Sequence, residues 1–98
     1  MPAEPVPMTW LMNFAKPFRL RVTSTSGGRH VTGSYHYVHR AVDLAGPREE
    51  MMRCARAALA RPDQFREVFY DPLGKYVKNG RVRLGHIGGH EDHVHLAR

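Results

Sequence analysis

The chain has 98 residues, 42% hydrophobic and 24% charged, with a formal net charge of +6 and a sequence pI near 10.1. A single domain of this size buries little more than about 60% of its unfolded surface, so its core is thin and a bound metal would help to hold it. The lone cysteine, Cys54, excludes an intrachain disulfide and a cysteine-based zinc finger; the basic balance suits an anionic partner, but no run of Lys or Arg marks a nucleic-acid arm.

Residues 1–8 are proline-rich and read as an extended lead-in to one domain over 9–98. The lead-in lacks the basic n-region and long apolar h-region of a secretory signal. Thr9 is placed to cap a short helix over Trp10 to Ala15, which Pro17 would end. That apolar patch is too short to span a membrane. Phe18 to Thr23 alternates apolar and polar, the period of a half-buried strand. Ser24 to Ser34 is rich in Ser, Thr and Gly and reads as a loop. Arg40 to Asp43 is expected as a short strand.

Gly46-Pro47 opens the main predicted helix, about 48–60. Pro47 suits the first turn, and Glu49 and Glu50 suit its positive end. Met51, Cys54, Ala55, Ala58 and Leu59 fall at the spacing of one buried face, so Cys54 reads as a packed thiol. Glu67 to Tyr70 reads as a strand and Asp71-Pro72-Leu73-Gly74 as a turn. Tyr76 to Leu84, with Asn79-Gly80 at its centre, has the pattern of a two-residue hairpin. Gly85 to Gly89 reads as flexible, and Asp92 to Ala97 as a final strand. The expectation is α+β: a small, mostly antiparallel sheet carrying a metal site, with one main helix and a short N-terminal one.

The chemistry concentrates in two stretches. His90-Glu91-Asp92-His93-Val94-His95 packs three histidines and two carboxylates into six residues. Such a cluster is costly beside a core unless something binds it, and a metal ion is the obvious candidate. It is not the helical His-Glu-x-x-His motif, because position 94 is Val and Gly88-Gly89 precedes it. On a strand, His93 and His95 share one face while Val94 and Leu96 face the core. Upstream lie His36 and, seven residues later, Asp43. Two neutral imidazoles and a carboxylate would leave Zn²⁺ a net positive charge and one open position.

Ser34-x-His36-x-x-His39-x-Ala41-x-Asp43 resembles the Ser-x-His-x-x-Gly-x-Ala-x-Asp signature of LAS-type zinc peptidases, the D-Ala-D-Ala carboxypeptidase-like and endolysin-like enzymes of peptidoglycan. Asp92-His93-Val94-His95 resembles their C-terminal His-x-His element, and the upstream His90 is similar to the murein endopeptidase branch. Tyr70 to Gly74, Val77 to Gly80 and the closing Asp-His-Val-His also resemble peptidase domains of phage tail tape-measure proteins. The resemblance spans roughly Val22 to Ala97, with the pieces in family order. One departure is His39, where the family has glycine.

The resemblance implies one zinc per chain, held by His36, Asp43 and His95. It implies Asp92 or His93 as general base, with His90 assisting His93. It implies Arg29, Ser34 and His90 as substrate-binding residues, with Arg29 on a substrate carboxylate or carbonyl and Ser34 supporting the His36 loop. The implied activity is hydrolysis of an amide bond in a peptidoglycan stem or cross-link. The expected setting is a monomer or part of a phage tail or injection machine, made in the cytoplasm and delivered to the cell wall. Membrane and nucleic acid are not expected partners. Two rivals stand beside this: a zinc-binding module without hydrolase activity, as in the Hedgehog signalling domain that resembles the same fold, and a basic nucleic-acid-binding protein.

Overall fold

The computed structural model describes residues 7–24 and 40–98. Among the described residues, two α-helices and six strands follow in the order α1 (Pro7–Ala15), β1 (Arg21–Ser24), β2 (Ala41–Ala45), α2 (Arg48–Leu59), β3 (Glu67–Phe69), β4 (Lys75–Lys78), β5 (Arg81–Leu84) and β6 (Val94–Ala97). The strands form one antiparallel sheet in the order β1-β2-β6-β3-β4-β5. The architecture is α+β, and among the described residues no helix is long and apolar enough to cross a membrane.

The two faces of the sheet differ in chemistry because side chains alternate along each strand. Register pairs Val42 with Leu96, Leu44 with Val94, and Val68 with both Leu96 and Val77. All six are buried, and Leu11, Met51, Cys54, Ala55 and Ala58 of the two helices join them in one core. The opposite face carries Asp43, His95 and Phe69, paired across β2, β6 and β3. One side of the sheet is thus core, and the other presents polar groups.

The spacing in α2 is borne out: Met51, Cys54, Ala55 and Ala58 are buried, and Leu59 packs partly against them. Burial pushes the Cys54 thiol pKa up to about 12. The Asn79-Gly80 turn is also as expected. Asn79 has φ 53° and Gly80 φ 75°, both in the left-handed region that a tight hairpin of this kind requires.

Boundaries shift elsewhere. The first helix starts at Pro7, so Thr9 lies inside it instead of capping it, and the helix takes up the end of the expected lead-in. The first strand begins only at Arg21, and its Val22 is 43% exposed instead of half-buried. It is an outer strand, while Phe18 and Leu20 pack against the core from the turn before it. That turn approaches the link between β2 and α2 so closely that a Cβ at Gly46 would stand 2.7 Å from the Arg19 carbonyl oxygen. The last strand begins at Val94, leaving Asp92 and His93 in the loop before it.

Candidate functional site

The polar face of the sheet is built around His95. It pairs directly with Asp43 on β2 and with Phe69 on β3. Its Nδ1 lies 3.1 Å from Asp43 Oδ1, and its Nε2 lies 2.8 Å from Glu67 Oε1. Glu67 stands diagonally across the β3–β6 ladder, opposite Ala97 and two residues from Phe69. The Phe69 ring stacks on the imidazole, with centroids 5.0 Å apart and planes 14° from parallel. The histidine side chain is only 7% exposed, and the two carboxylates are 15% and 14% exposed.

Burial opposes charge on this imidazole, but the hydrogen bonds and charges of Asp43 and Glu67 outweigh it, so the His95 pKa is raised above the ordinary histidine value. An ionised carboxylate can only accept, so the contacts on the two sides of the ring favour its protonated form.

Two further imidazoles crowd this centre. The His90 ring lies 5.8 Å from that of His95 and 4.9 Å from that of His93. His90 Nδ1 donates to the Gly88 carbonyl at 2.7 Å. Burial lowers the His90 pKa, assisted by the neighbouring His95 and His93 and opposed by the Gly88 contact, so the ring is neutral with Nε2 left as acceptor. His93 Nδ1 lies 2.8 Å from Asp92 Oδ1. That hydrogen bond holds the Asp92 carboxyl below the usual carboxylate range. As a carboxylate it accepts, so His93 carries its proton on Nδ1 when neutral and keeps Nε2 as a base.

The loop bearing these histidines is anchored by Asp71. Gly88 N–H donates to Oδ1 at 3.2 Å, His90 N–H donates to Oδ2 at 3.0 Å, and Asp71 N–H donates back to the His90 carbonyl at 2.9 Å. The segment read as flexible is thus tied to the turn after β3. A cleft of about 690 Å³ opens on the other flank of Asp92, bounded by Arg48, Met51, Tyr70 and Glu91 among others. The Tyr70 hydroxyl is buried and has no hydrogen-bond partner among the described residues.

The fold therefore brings Asp43, His95, His93 and His90 together, with Asp92 joined through His93. Arg29, Ser34 and His36 lie outside the described residues, as do His30 and His39. Among the described residues, no group of three or more His, Cys, Asp and Glu side chains is arranged to hold a metal ion. Asp43 and Glu67 address different nitrogens of the His95 ring. The Asp43–His95 pair nevertheless offers two donor types that zinc takes. Tetrahedral zinc, with ligand bonds of about 2.0–2.2 Å, sets its donor atoms about 3.4 Å apart. The observed separation of 3.1 Å is a hydrogen-bond length that lies slightly inside that edge. Sequence reasoning missed Glu67 and Asp71, which read only as a strand residue and a turn residue. No family model, curated protein or solved structure matches the chain.

Proposed function

We propose that this protein is a zinc-dependent peptidase that hydrolyses amide bonds in peptidoglycan stem peptides or cross-links. The observation that carries the reading is the Asp43–His95 pair. Two residues far apart in sequence, each in a stretch resembling one half of the LAS-type signature, face each other at 3.1 Å. His36, Asp43 and His95 would hold the ion. Zinc supplies a Lewis acid that polarises a carbonyl and acidifies water.

The chain's own residues supply the proton transfer. Asp92 keeps the Nδ1 proton of His93 and so fixes its tautomer, which leaves Nε2 to take the proton of the attacking water. The same nitrogen returns that proton to the leaving amine. His90, neutral and 4.9 Å from His93 between ring centroids, supports the ring without adding charge. The two alternatives for the base thus become one dyad, with His93 as the base and Asp92 as its orienting partner. The cleft touches this group only at Asp92 and is not lined by His93, His95 or Asp43; the net charge of +6 suits an anionic wall.

Digestion of sacculi and defined muropeptides, read by mass spectrometry, tests the proposal. Cleavage stopped by a chelator and restored by zinc is the expected result. Bound zinc with intact stems and cross-links would leave only a metal-binding module.

A further inference from the structure

We propose that Glu67 is the positioning residue of this metal centre, holding the His95 ring so that Nδ1 faces the cation site shared with Asp43. The inference rests on the zinc reading above and assigns a role to a residue that neither motif contains. An imidazole ligand works only if the coordinating nitrogen is unprotonated, and the hydrogen bond made by the other nitrogen decides which one that is. Here Nε2 lies 2.8 Å from Glu67 Oε1. A carboxylate there keeps the proton on Nε2 and leaves the Nδ1 lone pair for the ion.

Two further observations give the contact its purpose. The Phe69 ring, stacked 5.0 Å from the imidazole, fixes its plane. Within that plane, a flip about the Cβ–Cγ bond would turn carbon atoms toward both carboxylates, so the two hydrogen bonds select one orientation. Glu67 is itself poorly suited to join the coordination sphere with Asp43. The two nitrogens of one ring point away from each other, and Glu67 and Asp43 sit on different ones. At 14% side-chain exposure, the Glu67 carboxylate needs a partner for its charge, and the Nε2–H provides one.

The test compares the wild type with Glu67→Ala, Glu67→Gln and Asp43→Ala in zinc titrations against a chromophoric chelator. Nitrogen-15 NMR of the zinc-loaded proteins reports the His95 tautomer, and thermal unfolding without metal reports fold. Glu67→Ala is expected to keep one zinc per chain but bind it about 10–100-fold more weakly, with the Nε2 proton no longer protected from exchange. Glu67→Gln keeps an accepting oxygen and should lose less than about tenfold. Asp43→Ala should lose stoichiometric zinc.

A purely structural role would lower the metal-free unfolding temperature and leave affinity and tautomer unchanged. Glu67→Ala within about twofold of wild-type affinity therefore overturns the assignment, as does loss of stoichiometric zinc in Glu67→Ala with its retention in Asp43→Ala. If Glu67→Ala does not fold, Glu67→Gln with wild-type affinity and an unprotected Nε2 proton overturns it. A wild type that binds no zinc removes the metal reading and this role together, whereas zinc binding with a Glu67→Ala null effect removes this role alone.

Discussion

Asp43 and His95 occupy directly opposed positions on β2 and β6, with Oδ1 and Nδ1 3.1 Å apart on the face of the sheet away from the helices. The pairing is between side chains 52 residues apart, and a one-residue slip of β6 against β2 would move His95 into the core and Leu96 onto the polar face. Sheet register and the candidate chemistry are therefore set together. Zinc measured in purified protein should be one per chain. His36→Ala, Asp43→Ala and His95→Ala should each lose it, as read by elemental analysis after gel filtration.

The dyad of Asp92 and His93 predicts a separation of binding from chemistry. His93→Ala should retain stoichiometric zinc and lose about 10²–10⁴-fold in hydrolysis, the usual contribution of a general base. Asp92→Asn should also retain zinc, with a smaller loss, because the base remains but its tautomer is no longer imposed. Parallel zinc and muropeptide assays on both variants check this.

The Asp71 clamp predicts an acid limb in stability. Desolvation would raise its pKa, but the amide donors of His90 and Gly88 outweigh that and hold it below the usual value of 3.8. A depressed folded pKa contributes stability that is present above the unfolded pKa of about 3.9 and is lost as the pH falls through the folded value. The contribution should stay within about 1 kcal/mol, because the group is well solvated. Urea midpoints measured from pH 6 down to pH 2 should fall less steeply in Asp71→Asn than in the wild type.

Cys54 should be chemically silent in the folded protein. It is fully buried in the core, and its thiol pKa of about 12 leaves almost no thiolate at pH 8. An aromatic disulfide reagent should react with it only after denaturant unfolds the chain. Fast reaction under native conditions would mean that α2 opens readily.

The parts of the structure that could be read from sequence are those with local causes. The buried stripe of α2 follows from residue spacing along one helix, and the Asn79-Gly80 turn follows from backbone preferences of two adjacent residues. The burial of Val94 and Leu96 follows from alternation within one strand. Glu67 was not legible, because its meaning depends on β3 lying beside β6 and on the register between them. Nothing in a stretch reading Glu-Val-Phe-Tyr announces that pairing. The sequence around Asp71 reads as a turn, but the grip of Asp71 on Gly88 and His90 is made across a gap of nearly twenty residues. Val22 was expected to be half-buried because alternation indicates a strand without saying whether that strand lies at the rim or in the middle.

The place of β6 has a consequence for how the sheet is joined. It is the last strand in sequence, yet it sits between β2 and β3. Without Val94 to Ala97, no strand pairing among the described residues would join β1–β2 to β3–β4–β5. A chain stopped at His93 would lose the strand that joins them, together with the histidine at the centre of the polar face. The same strand that closes the sheet carries His95 to its place opposite Asp43 and Phe69.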